Sequence, residues 1–291
     1  MNFTIDRNSF LKPLGHIYSV VERRNTIPIL SNVLIETNSS KISLTATDMD
    51  MDIVEVIGCI VHQQGKATLS AHTLYDIVRK IPDGGEIKIE LLDLNVEVSA
   101  GKSKFILPTL PVDDYPVMTE IEKGSEFSLE SADLISLIDN TKFAISSEET
   151  RYYLNGIFLH VPEENKQKLR AVATDGHRLA QAEVPLPEGA ESIPGIIIPR
   201  KAVGEIRKLA DGIEGKVKII VSNTKAKFIF PNSILTTKLI DGSFPDYQRV
   251  IPKGNLNKLV VSNLEFSKAV DRVSTVSMEK SRAIKLSLNK N

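Results

Sequence analysis

The stretch "VATDGHRLA" (172–180) decides how this chain is interpreted. Asp175, His177 and Arg178 lie within four residues, a grouping found in catalytic sites and also in turns. The segments "ISLTATDMDMDIVEV" (42–56) and "LRAVATDGHRLAQAEV" (169–184) share an Ala-Thr-Asp step, which ends at Asp48 and at Asp175. Because the histidine and the arginine occur in one copy only, the repeat predicts that Asp175 is a strand-end residue that binds local backbone.

The Thr-Asp step belongs to a longer internal repeat. The segment "FTIDRNSFLKPL" begins at Phe3, "FSLESADLISLI" at Phe127 and "LVVSNLEFSKAV" at Leu259. Each reads as a short alternating strand, a polar residue suited to an N-cap and a helical pattern. A strand is expected after each helix, the last one in "SRAIKLSL" (281–288). The periodicity predicts tandem copies of one module.

A shorter period lies inside the first. "ATLSAHTLYDIVRKI" (67–81) resembles the start of the chain, and "IIIPRKAVGEIRKLADG" (196–212) is its counterpart in the second unit. Each unit is therefore predicted to hold two half-units of one strand, one helix and three strands, with hairpin turns between alternating strands. The fold class is α+β, with antiparallel sheets on one side and paired helices on the other.

The repeats predict three domains, with boundaries at 1–124, 125–256 and 257–291. The third range supplies only two strands and one helix, so we expect a third domain that is incomplete, as in a truncated product.

Composition excludes several classes of protein. The net charge is −1, with 42% hydrophobic and 25% charged residues, which is ordinary for a soluble globular protein. The apolar runs are too short to span a bilayer, and the N-terminus lacks the pattern of a secretory signal. Cys59 is the one cysteine, so no internal disulfide can form. A cytoplasmic protein without a membrane segment is predicted.

Familiar chemical motifs are incomplete in this chain. "SAGKSKF" (99–105) lacks the first glycine of a phosphate-binding loop and precedes a strand, so it is predicted to be a hairpin turn. "DMDMD" (48–52) lacks the glycine and the later glutamate of a calcium loop. The spacing of the histidines and the lone cysteine do not suit a zinc site. We expect no metal, no cofactor and no catalytic residue.

Charge is unevenly distributed between the predicted helices and the rest of the chain. The segment Pro199–Lys208 carries four basic residues against Glu205, and the helical segments together are basic. Such a layer can hold phosphates without reading bases, although ordinary solvated helix faces remain the alternative. The absence of tryptophan argues against a stacking platform for single strands.

Five segments together resemble one known family, the bacterial sliding clamp, which is the beta subunit of DNA polymerase III. They are "NTIPILSNVLIE" (25–36), "RYYLNGIFL" (151–159), "ATDGHRLA" (173–180), "IPRKAVGEI" (198–206) and "DGSFPDYQRVIP" (241–252). The resemblance implies three domains of one fold per protomer and a head-to-tail homodimeric ring. Helices would line a hole that holds double-stranded DNA without sequence specificity, sheets would form the outer wall, and the protein would act as a processivity factor.

The resemblance also implies site residues. Residues that match DNA-facing positions are Arg24, Tyr152, Tyr153, Arg200 and Lys201, with Lys12, Lys102 and Lys104 as weaker matches. A pocket for short peptide motifs of the DNA polymerase III alpha subunit, the clamp loader and other clamp-binding proteins would contain Leu154, Thr174, Gly176, His177, Arg178, Leu179, Pro245, Arg249 and Val250. The dimer interface would join Leu107 to Thr275 and Val276 of a second copy.

Three hypotheses follow. The first is a clamp that tethers the polymerase to DNA. The second is a truncated monomeric fragment that keeps partial peptide binding but does not close a ring, because the short third domain leaves the pocket half-built and the interface unsupported. The third is an enzyme that uses Asp175 and His177.

Overall fold

The computed structural model describes residues 1–22, 26–121, 123–277 and 283–288. By its internal contacts the chain divides into two compact units, Met1–Phe244 and Pro245–Asn291. The first unit contains all the strands that the structure describes.

Four half-units follow one another in the first unit. The first contains β1 (Asn2–Asp6), α1 (Arg7–Val20), β2 (Asn32–Asn38), β3 (Lys41–Thr47) and β4 (Met51–Gly58), and a short β5 (Ile60–Gln63) follows it. The second contains β6 (Gly65–Ser70), α2 (Ala71–Lys80), β7 (Glu86–Leu92), β8 (Asn95–Ala100) and β9 (Ser103–Pro108).

The third half-unit contains β10 (Ser125–Glu130), α3 (Ser131–Asp139), β11 (Gly156–His160), β12 (Lys168–Thr174) and β13 (Leu179–Pro185). The fourth contains β14 (Ile196–Pro199), α4 (Arg200–Ala210), β15 (Lys216–Val221), β16 (Lys225–Ile229) and β17 (Ser233–Lys238). The predicted order of one strand, one helix and three strands is confirmed in all four, and β5 is the one addition among the described residues.

The strands form three antiparallel sheets, and the first strand of each half-unit joins the sheet of the other half. The sheet orders are β5-β1-β7-β8-β9, β10-β15-β16-β17-β4-β3-β2-β6 and β13-β12-β11-β14. Thus β1 pairs with β7 and β6 pairs with β2, while β10 and β14 are exchanged in the same way. The two halves of each repeat therefore interlock.

One strand pair joins the two repeats. β17 lies antiparallel to β4, with Leu235 opposite Ile53, so four strands from each repeat make a continuous eight-stranded sheet. The predicted boundary between residues 124 and 125 stays a prediction, since both sides of it lie in one compact unit.

The helices cover one face of the sheets. α1 buries Phe10, Leu14, Ile17 and Val20, and its first turn is capped by Asp6, whose carboxylate accepts the Ser9 N–H at 2.9 Å. α1 packs on β3 and β4, α4 packs on β17, and α1 contacts both α2 and α4. The α+β class with antiparallel sheets and paired helices is confirmed.

The second unit contains a single turn of 3-10 helix, Tyr247–Arg249, and α5 (Asn263–Ser274). The predicted strand at Leu259 is wrong, and so is the strand expected in 283–288; both stretches lack regular structure. Residues 281 and 282 of that second stretch lie outside the described part. A strand needs a neighbour for its backbone N–H and C=O groups, and this unit supplies none among its described residues.

Candidate functional site

The turn between β12 and β13 is closed by Asp175. Its Oδ1 accepts the N–H groups of His177 and Arg178, each at 3.0 Å, and its Oδ2 accepts the Arg178 Nε–H at 3.0 Å. Partial burial raises the pKa of the Asp175 carboxyl, but these donors outweigh it and hold the pKa below its usual range. The carboxylate therefore remains ionised and fixes the turn.

The turn between β3 and β4 uses the same device. Oδ1 of Asp48 accepts the N–H groups of Asp50 at 2.9 Å and Met51 at 2.7 Å. The prediction that Asp175 serves local backbone is thus confirmed. Within the described residues the His177 ring makes no hydrogen bond to Asp175, so the geometry of a base held by an orienting carboxylate is not formed.

Arg151 lies against the β12–β13 turn at Gly176, and the sequence analysis did not include it among the site residues. Gly176 has φ of +87°, and a Cβ built there would lie 2.7 Å from Nη1 of Arg151. The Arg151 guanidinium donates two hydrogen bonds to Glu148, at 2.8 and 2.7 Å, and these lower the pKa of that carboxyl. Arg151 is the first residue of the segment "RYYLNGIFL" (151–159), and its place in that segment was the one available signal.

An aromatic side chain also contacts the turn through Arg178. The Arg178 Cζ lies 5.6 Å from the ring centroid of Phe143, within the range of a cation–π contact. Phe143 follows α3 and is 54% exposed, although it is large and apolar. This exposure could not be inferred from the sequence, because a large apolar side chain is ordinarily expected to be buried.

The structure brings together six of the nine residues expected in the peptide pocket. They lie on the β12–β13 turn and on the preceding 3-10 segment, with Leu154 buried and His177 and Arg178 exposed: Leu154, Thr174, Gly176, His177, Arg178 and Leu179. Pro245, Arg249 and Val250 belong to the second unit, where Arg249 Nε lies 2.7 Å from the Asp246 carboxylate.

Four of the residues expected to face DNA form one surface, which we call the Arg200 surface: Tyr152, Tyr153, Arg200 and Lys201. The Arg200 N–H donates to the Asn155 carbonyl at 2.9 Å, next to the Tyr152–Tyr153 pair, whose rings lie 5.8 Å apart. The Lys201 ammonium donates to the Val20 carbonyl at 3.1 Å and to Asp48 at 2.5 Å. The Arg200 surface thus reaches the end of α1. Arg24 lies outside the described residues.

The three weaker matches lie apart from one another. Lys12 is exposed on α1. Lys102 is in the β8–β9 turn, which confirms the hairpin predicted for "SAGKSKF". Lys104 lies opposite Ser99 on the sheet face away from the core and pairs with Glu97 at 2.7 Å. It therefore does not share the helical face with Lys12.

The residues expected at the dimer interface lie in both units. Leu107 is on β9, the end strand of its sheet, beside a groove of about 960 Å³ between α2 and the β8–β9 hairpin. Apolar lining residues of this groove are Ile77, Ile81, Pro82, Ala100 and Phe105. Thr275 and Val276 follow α5 in the second unit, and Val276 is 80% exposed.

The described residues form no cluster suited to a metal ion, because no three His, Cys, Asp or Glu side chains among them are arranged to hold one. Nor does any helix in that part of the chain have the length and apolar character needed to cross a bilayer.

The chain matches the DNA polymerase III beta subunit over three successive segments. Residues 1–119 match its N-terminal domain, residues 128–246 its central domain and residues 248–291 its C-terminal domain.

Individual relatives carry the same name. The beta sliding clamp of Caulobacter vibrioides (strain NA1000 / CB15N) is 51% identical over 291 residues, which is 99% of this chain and 78% of the relative. The beta sliding clamp of Escherichia coli (strain K12) is 36% identical over 295 residues, covering 100% of this chain and 79% of that protein.

Solved structures agree in fold. The beta sliding clamp of C. crescentus matches with a TM-score of 0.91 at 52% identity, over 97% of this chain and 76% of that one. A sliding clamp from Bartonella birtlesii, bound to griselimycin, matches with a TM-score of 0.92 at 49% identity, over 96% of this chain and 76% of that one.

Proposed function

Because the chain belongs to the DNA polymerase III beta subunit family, the beta sliding clamps, we propose that it encircles duplex DNA and tethers the replicative polymerase to it. The predicted sliding-clamp fold is confirmed by the solved relatives. Membership in the family supports a processivity factor that does no chemistry itself. The setting that this implies is bacterial DNA replication in the cytoplasm.

The observation that carries the proposal is the placement of exposed cations on the helical face of a continuous sheet. α1 and α4 contact each other on one side of the β4–β17 seam, and they present Lys12 and Arg200 to solvent. Lysine and arginine that meet phosphates without base contacts give weak, salt-dependent binding, which allows a protein to slide. Lys201 shares this face, but its bonds to Asp48 and Val20 make it a bracing residue as well.

The DNA proposal can be tested with variants on the two faces of the protein. We expect Arg200→Ala to weaken binding to a duplex and to reduce the slope of log K against log salt by about one unit. Lys104→Ala is the matched control, because Lys104 lies on the opposite sheet face. Fluorescence anisotropy at several salt concentrations measures both. Equal losses for the two variants would contradict an inward-facing cationic layer.

Encirclement has its own test. With a bacterial clamp loader present, the protein should stay on nicked circular DNA during gel filtration and should leave the same DNA after linearisation, because a ring slides off free ends. Equal retention on both forms would contradict the ring.

The turn with His177 and Arg178 is the proposed site for partner peptides. Leu154 supplies an apolar floor, and the two exposed side chains can bind a peptide backbone or an acidic residue. Partners of this chemistry are the alpha subunit of the polymerase, the clamp loader and other proteins that carry a clamp-binding motif.

Dimerisation is proposed through β9 and the groove beside it, with Leu107 of one copy near Thr275 and Val276 of the other. The apolar groove and the exposed Val276 support this pairing. A monomeric adaptor is the second candidate, and one observation favours it: α5 buries none of its side chains. Sedimentation equilibrium separates the two, since the adaptor keeps the mass of one chain at every concentration.

A further inference from the structure

A cavity of about 470 Å³ opens where the two repeats of the first unit meet, and we call it the seam cavity. The first repeat lines it with one side of α1 and the end of β4. The second repeat lines it with the end of α4, the turn that follows α4 and the turn between β16 and β17. The cavity lies at the other end of β4 from the Asp48 turn, and it shares no residue with the Asp175 turn or the Arg200 surface.

A buried carboxylate orients a histidine in the seam cavity. Glu55 is 4% exposed, and its Oε1 lies 2.6 Å from Nδ1 of His16, whose ring lines the cavity. Because an ionised carboxylate only accepts hydrogen bonds, Nδ1 carries the proton and donates it to Glu55. Within the described residues Nε2 of His16 makes no hydrogen bond. One ring nitrogen is therefore fixed, and the other is available to a ligand.

Three further polar side chains line the seam cavity without a protein partner among the described residues. The Lys12 ammonium forms no ion pair, and the Asn232 amide makes no hydrogen bond. Ser233 lies opposite Glu55 across the seam and is buried, yet its hydroxyl also makes no hydrogen bond. Polar groups at a buried position normally have partners, so this part of the lining is suited to a polar ligand.

Charged side chains face His16 from the elements around it. Lys12 lies on the same helix, Glu55 lies on β4, and the exposed Glu214 lies on the turn after α4. Glu205 of α4 already accepts two hydrogen bonds, and the lining from β17 and the turn before it carries no charge. A protonated His16 ring would be balanced by Glu55, which leaves the Lys12 ammonium without a buried counter-charge. The polar side of the cavity can therefore accept one negative charge.

The rest of the lining is largely apolar and includes Pro13, Ile57, Leu209, Ile213 and Pro231. We propose that the seam cavity binds a compact organic anion, with its carboxylate or phosphate held between Nε2 of His16 and the Lys12 ammonium. The apolar body of the ligand packs against the apolar part of the lining. Cavities of this size with an apolar lining and a few placed polar groups are typical of small-molecule sites.

Binding of the anion is coupled to a proton. Nε2 of a neutral His16 ring presents a lone pair, which repels an anion, whereas the protonated ring donates an N–H to it. Glu55 and the ligand then lie on either side of one imidazolium, and both favour its positive charge. We therefore expect the affinity to rise as pH falls from about 8 to about 6, where histidine gains its proton.

The ligand also joins the two repeats, because it contacts α1 of the first and the end of α4 in the second. A ligand that binds only the folded state stabilises it by mass action. The melting temperature of the full chain should therefore rise with the concentration of the anion.

A nuclear magnetic resonance titration of the ¹⁵N-labelled full chain tests the site, with benzoate and phenyl phosphate as probes. At pH 7 at least one of them should shift the His16 ring nitrogens saturably, with a Kd of about 1 mM or below, and should move Nε2 toward the frequency of a protonated nitrogen. The probe that binds more tightly identifies the anionic group. Benzyl alcohol, the uncharged analogue, should bind at least about tenfold more weakly, since it has no charge for the imidazolium and the ammonium to bind.

Two variants and a matched control decide the result. His16→Gln should weaken binding of the anion by at least about tenfold and remove its dependence on pH, and Lys12→Gln should weaken binding by about threefold to tenfold. Lys166→Gln removes an exposed lysine far from the seam cavity, in the β11–β12 loop, and should leave the affinity unchanged. Circular dichroism confirms that each variant is folded.

Three outcomes would overturn the proposal: no saturable shift of the His16 signals with either anion up to about 20 mM, equal affinity for benzyl alcohol, or equal losses in Lys12→Gln and Lys166→Gln. These measurements use neither DNA nor a peptide, so their failure would leave the proposed clamp function untouched.

Discussion

At the scale of single residues, Asp175 is predicted to matter through the turn that it closes. Replacing it with alanine removes the acceptor for two N–H groups, which we expect to cost about 1 kcal/mol of stability, as for a lost helix cap. The loosened turn should bind a clamp-binding peptide about tenfold more weakly, which corresponds to ~1.4 kcal/mol. Peptide fluorescence anisotropy and thermal melts measure the two effects.

Asp175→Asn is the matched control, because its amide oxygen still accepts both backbone N–H groups. It should keep most of the affinity. His177→Ala should lower peptide affinity. No enzymatic activity should be lost with it, because none is expected in the original protein. A hydrolytic activity that disappears in His177→Ala would instead support the enzyme hypothesis.

Asp52 makes the stability of the protein depend on pH. Its Oδ2 accepts the Met118 N–H at 3.0 Å, its Oδ1 is buried without a partner among the described residues, and burial raises the pKa of the carboxyl. The folded state thus binds this proton more tightly than the unfolded state, so the ionised group destabilises the fold above its ordinary pKa, and that cost disappears as pH falls.

Asp52→Asn should therefore raise the melting temperature at pH 7 by about 2–4 °C. The advantage should be smaller at pH 4 than at pH 7, because the original side chain binds its proton more fully at the lower pH. Asp50→Asn is the control, because Asp50 is exposed and pairs with Lys238 at 3.0 Å. A stabilisation that is equal at both pH values would contradict the explanation.

The repeat was sufficient to predict the role of Asp175. The equivalent turn at Asp48 has the aspartate without the histidine, so the aspartate is needed for the turn and not for catalysis. Phe143 and Arg151 could not be found in this way. Their contacts with Arg178 and Gly176 join segments far apart in sequence, and a helical pattern does not reveal which of its apolar residues remains exposed.

At the scale of elements, periodicity predicted four half-units but not their exchange of first strands. The alternation of apolar and polar residues along a strand indicates which side chains face the core, but it does not indicate which strand pairs with it. The strand predicted at Leu259 was wrong although the residues alternate as in a strand. A strand forms only where a neighbouring strand can bind its backbone N–H and C=O groups.

The contact between α1 and α4 gives a prediction at this scale. Glu205 is buried and accepts hydrogen bonds from Ser19 and from the Lys208 ammonium. Ser19→Ala removes one donor to a buried carboxylate, which should cost about 1–3 kcal/mol. Urea denaturation measures this loss.

Ser9→Ala on the exposed side of the same helix is the control and should cost less than about 0.5 kcal/mol. Equal losses in the two variants would mean that the seam between the helices adds little to stability.

At the scale of the whole molecule, the shared sheet predicts cooperative unfolding of residues 1–244. β4·β17 and α1·α4 join the two repeats, so neither can lose its structure without exposing the buried surface of the other. Scanning calorimetry of the full chain should show one unfolding transition for this unit. Leu235→Ala should lower the free energy of unfolding of the whole unit by roughly 2–5 kcal/mol.

Two resolved transitions, with only the later one moved by Leu235→Ala, would contradict a single cooperative unit. Leu69→Ala provides a comparison in the full chain, because Leu69 is equally buried on β6, at the far end of the eight-stranded sheet. Both variants should displace the same transition.

The exchanged strands and the seam also determine when each strand can pair during translation. β1 emerges from the ribosome first, yet its partner β7 ends only at Leu92, and β4 waits for Ser233–Lys238. At bacterial elongation rates of about 5–20 residues per second, the edge of β4 stays uncovered for roughly 10 to 35 s. During that interval the unpaired edge of β4 can pair with strands of other nascent chains. Chaperone binding to the nascent chain should therefore be greatest midway through translation.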